Sequence, residues 1–297
     1  MRKAMKPISQ TDLILNPDRS VYHLHLLPGD IADHIILVGD PGRVSQVSSH
    51  FDSVELKKSN REFETHTGTY RRKRMTVLST GIGTDNIDIV LNELDALVNV
   101  DLELRQVSSS HRCLNLVRLG TSGAVHADIV PGGQIIARIA GGFDGLYHFY
   151  EDPDGYNMEE LATSFIESTG WGKKLADPYF ITGSDHLFQL LSGPEMLSGI
   201  TMSTPGFYAP QVRSIRLSPV DRELVSKMAA FRYRGMRINN FEMESSALYA
   251  LASLLGHRAI TICVAVANRV SLEFLDDYHA AVDKLIINVL DKLTQDA

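Results

Sequence analysis

At 297 residues, with 29 Lys and Arg against 36 Asp and Glu, the chain carries a formal charge of −7 and is 44% hydrophobic; this composition argues against disorder, fibrous repeats and general binding to nucleic acid. Its longest apolar-dominated run, residues 259–267, is nine residues long, far short of the roughly 20 that a membrane-spanning helix needs. The cations divide into 19 Arg and 10 Lys, and the planar guanidinium suits bidentate capture of small oxyanions.

The basic start, residues 1–6, is interrupted by Pro7, Ser9, Gln10, Asp12 and Asn16 before any apolar region develops, so it does not read as a secretory leader and the chain is expected in the cytoplasm. β-Rich runs recur at residues 35–38, 75–78, 114–119, 134–139 and 260–266, without the polar alternation of half-exposed strands. Between them Ile87, Val90, Leu91, Leu94, Leu97 and Val98 fall at helical spacing. Leu248, Leu251, Leu254 and Leu255 form a second stripe, ended by Gly256, and Ala281, Leu285, Ile286, Val289, Leu290 and Leu293 form a third. The alternation predicts an α/β fold: a single domain over residues 1–297, with helices flanking a central mixed β-sheet and ligands beyond the carboxyl ends of its strands. Residues 141–205 are less regular, with a strong turn at Asp152-Pro153-Asp154-Gly155, and are expected to form an insertion or lid. Cys113 and Cys263 lie in strand-like apolar surroundings without a CxxC or histidine-rich neighbourhood. They are expected to be buried structural thiols, in neither a disulfide nor a metal site.

Three glycine-bearing segments at strand ends carry the chemistry. Gly39-Asp40-Pro41-Gly42-Arg43 offers close backbone approach, a helix start and a fixed positive charge. Ser79-Thr80-Gly81-Ile82-Gly83-Thr84 and Arg118-Leu119-Gly120-Thr121-Ser122-Gly123-Ala124 are expected to be the second and third such turns. Together they can converge guanidinium forks, backbone N–H groups and hydroxyls on one tetrahedral oxyanion. The Gly-Lys-Ser/Thr of a triphosphate loop and the third glycine of a dinucleotide fingerprint are both missing, which argues against kinases and dehydrogenases. A fourth feature is Glu242-Met243-Glu244 at a helix start. Its carboxylates either complement the helix dipole or clamp the vicinal hydroxyls of a sugar over Met243.

In this order, and over nearly the whole chain, these motifs resemble the nucleoside phosphorylase family of trimeric or hexameric α/β type, and within it the uridine phosphorylase branch. The resemblance implies that Gly39, Arg43, Arg118 and Thr121 bind phosphate together with Arg61, the last lent across a dimer interface. It likewise assigns the ribose to Glu242, Met243 and Glu244, with His23 reaching the 5′-hydroxyl from a neighbouring subunit. Phe207, Gln211 and Arg213 match the branch's base-recognition segment, and Thr121, Ser122, Gly123 and Arg269 complete the base site. Gln offers a donor and an acceptor to the N3–H and a carbonyl of uracil, Arg donates to a carbonyl, and Phe207 stacks on the ring. At Asn268 and Arg269, where purine-specific relatives place an acid, no Asp stands. Two departures are Asp85, which brings negative charge toward the phosphate neighbourhood, and Asn86, which replaces a serine that with the position of Glu62 helps hold a monovalent cation in some relatives.

The function implied is reversible phosphorolysis of uridine, and by extension of deoxyuridine or thymidine, to uracil and the sugar 1-phosphate, with Arg118, Glu244 and Arg213 acting on the reacting groups. Inorganic phosphate is a co-substrate, and no metal or organic cofactor has a task. The expected assembly is a homo-oligomer, a trimer of dimers with shared sites, with no nucleic acid or membrane as partner. The alternatives are a purine nucleoside phosphorylase or nucleosidase of the same family, and a non-catalytic nucleoside-binding protein.

Overall fold

The computed structural model describes residues 6–295. In chain order its elements are β1 (His34–Val38), α1 (Pro41–Ser48), β2 (Ser53–Asn60), β3 (Phe63–Tyr70), β4 (Lys73–Ser79), α2 (Thr84–Asn99), β5 (Val100–Asp101), β6 (Gln106–Val107), β7 (Asn115–Ala124), β8 (Gln134–Gly142), α3 (Glu159–Thr169), β9 (Tyr179–Thr182), α4 (Asp185–Leu191), β10 (Met196–Ser203), α5 (Leu224–Ala230), β11 (Arg232–Tyr233), β12 (Met236–Glu242), α6 (Ser245–Leu254), β13 (Arg258–Asn268) and α7 (His279–Leu293). All five apolar runs are strands and all three apolar stripes are helices, as their periodicity predicts.

Eleven strands form one mixed sheet in the order β11-β12-β10-β8-β13-β7-β1-β4-β3-β2, with β9 beside β8. β1 runs parallel to both β4 and β7 and is buried along its whole length, which is why it shows no polar alternation. β12 pairs with β10 and also, antiparallel, with β7, where Phe241 stands opposite Gly123 and Asn240 opposite Ala124. Strands β7, β13, β8, β10 and β12 thus close into a ring. The stripes of α2, α6 and α7 bury Leu91, Leu94, Leu248, Leu251, Ile286 and Val289 in the main core. A second core, centred on Phe165, Phe180, Phe241 and Met228, lies under α3 and α5.

Three expectations are corrected. Residues 118–124 are strand, not a glycine turn. A Cβ at Gly120 would come within 2.2 Å of Arg118 Nη1 and 3.0 Å of Cys263 Sγ, and one at Gly123 within 3.1 Å of the Phe241 ring, so these glycines make room for side chains instead of turning the chain. Residues 141–205 are not an insertion: they supply β9 and β10, and β10 lies between β8 and β12 in the ring. Of the two free cysteines, Cys263 is buried but Cys113 is only half-buried.

Candidate active site

A cavity of about 700 Å³ opens where the carboxyl ends of β1, β4, β12 and β13 meet the second half of β7, a volume suited to one small organic ligand. Gly39, Arg43, Arg118, Thr121, Ser122, Gly123, Phe207, Gln211, Arg213, Glu242, Met243 and Glu244 all line it.

Two of the lining arginines, Arg43 and Arg118, lie near one another. Asp40 caps α1 by accepting from the Gly42 N–H at 2.9 Å, and Pro41 occupies the first helical turn, so the chain turns into the helix immediately after Gly39. That places Arg43 in the interior, with Nη1 donating to Leu119 O at 3.4 Å. Burial, and then repulsion from Arg118, lower its proton affinity. Two guanidinium groups facing one buried space favour an anion between them.

Arg118 also reaches the carboxylates at the end of β12. Its Nη1 lies 3.1 Å from Glu242, and its Nη2 donates to Glu244. Burial opposes the arginine's charge, but Glu244 and Glu242 outweigh it, and the guanidinium is held more firmly protonated than usual. The Glu242 carboxylate is already saturated: it accepts from the N–H of Glu244 at 3.0 Å, from the N–H of Ser245 at 3.0 and 3.1 Å, and from Ser203 Oγ at 2.5 Å. Glu242 therefore orients Arg118 and satisfies the opening N–H groups of α6, as the helix-dipole reading of its sequence position expects. Glu244 accepts from the Gly83 N–H at 2.8 Å. Two buried carboxylates thus share Arg118. Burial first, with repulsion from Glu242 added and attraction to Arg118 opposing, raises the Glu244 carboxyl to about 7.

Gln211 and Arg213 stand on the loop after β10 and also line the cavity. The Arg213 guanidinium lies 3.8 Å over the Phe207 ring and donates to the Gln211 side-chain oxygen. Burial and then Arg269 lower its proton affinity to about 10, which leaves it charged at neutral pH. Val212, between them, has φ +58°, a left-handed conformation that is rare for a β-branched residue.

Three expected site residues do not line the cavity. Arg269 turns instead to the loop after β10, with Nη1 donating to Gln211 O at 3.1 Å and Nη2 to Val212 O at 3.5 Å. His23 and Arg61 lie near one another, joined through Asn60 and Tyr22. His23 is held by Glu93 of α2, through its N–H at 2.9 Å and Nδ1 at 2.6 Å, and Asn60 Nδ2 donates to His23 O at 2.7 Å. Arg61, at the β2–β3 turn, lies 5.5 Å over the Tyr22 ring. Asp85 is exposed and outside the lining, whereas Glu62 and Asn86 both reach it. The Asn268 side chain is spent on the main chain of His126, Ile129, Val270 and Ser271. The cavity there meets Val266 and Ala267, which carry no acid. Sequence reasoning missed Glu93, Ser203 and Thr204; Ser203 ends a buried strand and Thr204 follows it, just before Pro205-Gly206, the one local signal available.

Residues 33–293 match the family model of the phosphorylase superfamily. The chain belongs to that family. It is 34% identical over 256 residues to the uridine phosphorylase of Thermococcus kodakarensis, covering 85% of this chain and 79% of that one. It is also 34% identical over 242 residues to the DeoD-type purine nucleoside phosphorylase of Bacillus cereus, covering 81% and 83%. Among solved structures, a Trypanosoma brucei nucleoside phosphorylase described as showing uridine phosphorylase activity superposes with a TM-score of 0.85 at 29% identity, over 96% of this chain and 100% of that one. Among the described residues no helix is long and apolar enough to cross a membrane.

Proposed function

We propose that this member of the superfamily is a uridine phosphorylase, a pentosyltransferase that converts uridine and phosphate reversibly to uracil and ribose 1-phosphate. The observation that carries this reading is that one cavity is lined by the arginines Arg43 and Arg118, by the carboxylates Glu242 and Glu244, and by the pair Gln211 and Arg213, groups suited to phosphate, ribose and base.

Phosphate sits between Arg43 and Arg118, with Thr121 and the Gly39 backbone as further partners, on the face of the sugar opposite the base. Holding it there turns a bimolecular encounter into a positioned attack on C1′. Glu244, backed by Met243, engages the ribose hydroxyls, and the phosphate dianion stabilises positive character developing at C1′. The glycosidic electron pair passes to the base, where the charge is met by Arg213 and Gln211. The C1′–N1 bond breaks as the C1′–O bond to phosphate forms, with inversion at C1′. No metal or organic cofactor has a task in this scheme.

His23 and Arg61 complete the site from a second subunit, which makes a dimer the minimal active unit and a trimer of dimers the assembly. Arg269 acts here through the base loop. The purine reading draws support from the Bacillus cereus relative, but Val266 and Ala267 offer no proton to a purine N7. The test is incubation with uridine, thymidine, inosine and adenosine, each with and without phosphate. Uridine cleavage that requires phosphate is expected; cleavage of inosine and not uridine overturns the proposal.

A further inference from the structure

We infer that the Thr204 hydroxyl fixes which way round the Gln211 amide stands, and thereby makes the base pocket accept the N3–H of uracil and reject cytosine. The inference rests on the uridine phosphorylase reading and adds a positioning residue that does not itself line the cavity.

Thr204 directly follows β10 and is fully buried. Its N–H donates to Glu242 O at 2.9 Å. Its hydroxyl lies 3.1 Å from Gly206 O and 3.2 Å from Glu242 O. Both are carbonyl oxygens, which only accept, so the single hydroxyl proton is committed to them. Toward Gln211, 2.9 Å away, the Thr204 oxygen can then only accept, and the amide must present Nε2. On its other side the amide meets the Arg213 guanidinium, which only donates, so Oε1 must face it. Two independent constraints impose one orientation. The loop cannot relax around them cheaply, because Arg269 holds the carbonyls of Gln211 and Val212 and Arg213 Nη1 also donates to Phe207 O at 2.8 Å.

Held this way, Gln211 has one N–H and one oxygen lone pair left for a ligand. Uracil matches them with its N3–H and an adjacent carbonyl. Cytosine presents a lone pair at N3, which would face the lone pair of Oε1. Rotating the amide would relieve that clash only by drawing the Thr204 proton away from the Gly206 and Glu242 carbonyls and by setting Nε2 against a cation. An unpaired or opposed buried polar group costs enough to decide between substrates.

The test compares kcat/KM for phosphorolysis of uridine and cytidine in wild type, Thr204→Val, Thr204→Ala and Thr204→Ser, with thermal unfolding as a check on folding. Val keeps the shape and loses the hydroxyl, Ala serves if Val does not fold, and Ser keeps the hydroxyl. The uridine-to-cytidine ratio is expected to fall roughly tenfold or more in Val or Ala and to be retained in Ser. A purely structural role would lower both substrates together, so an unchanged ratio in the folded variants overturns the inference. The wild-type arm separates the two proposals: failure to cleave uridine at all overturns the uridine reading and this inference with it, whereas uridine cleavage with an unchanged variant ratio overturns this inference alone.

Discussion

Arg118 stands where the proposed phosphate and ribose subsites meet the buried carboxylates at the start of α6. It faces Arg43 on one side and two carboxylates on the other, and Cys263 Sγ lies 3.8 Å from its Nη1. Burial is the main reason this thiol is pushed up to about 12, and the nearby arginine only partly offsets it, so Cys263 is a neutral packing group beneath the guanidinium. Glu244 supplies a pH dependence. Its folded-state pKa, about 7, lies above the ordinary carboxylate value, so ionising it opposes folding. In phosphate-free buffer, stability should fall as pH rises from about 4.5 through about 7 and then level off. Urea unfolding of wild type beside Glu244→Gln checks this: the stability difference, wild type minus variant, is expected to decline between pH 5 and pH 8, and a flat difference contradicts it.

At the scale of elements, residues 141–205 are part of the folded core. Phe165 of α3 packs its ring against Phe143 and Phe180 at 5.7 Å and against Phe231 at 5.3 Å. Phe165→Ala should cost about 3–5 kcal/mol and shift one cooperative unfolding transition; a separate early transition with the main one unmoved would restore the lid. The buried parallel strands and amphipathic helices were legible in the sequence because burial on both faces leaves an apolar run and burial on one leaves a stripe. The strand β12 was not, because its interior Asn240 is paired across neighbouring strands, donating to Ser122 Oγ at 2.8 Å and accepting from Thr201 Oγ1 at 2.7 Å. β3 hid likewise behind threonines, with Thr67 and Thr76 hydroxyls 2.8 Å apart. The glycines of β7 imitated a turn. The motifs that line the cavity were legible in the sequence, while the contacts of Ser203, Thr204 and Glu93 are tertiary ones that a linear pattern does not reveal.

At the scale of the molecule, the separation of His23 and Arg61 from the cavity of their own subunit has a direct consequence for the proposed assembly. Arg61→Ala and Arg118→Ala should each be inactive alone. Co-expressed, they should recover about a quarter of wild-type activity, since half of randomly formed dimers carry both defects in one site and leave the other intact. Full activity of Arg61→Ala alone, or no recovery on co-expression, contradicts shared sites. The central claim is the phosphorolysis itself, and phosphorus NMR of a mixture of protein, uridine and inorganic phosphate tests it most directly. A ribose 1-phosphate signal of α configuration, growing in step with free uracil, is expected. Uracil released together with free ribose, at a rate indifferent to phosphate, would contradict it.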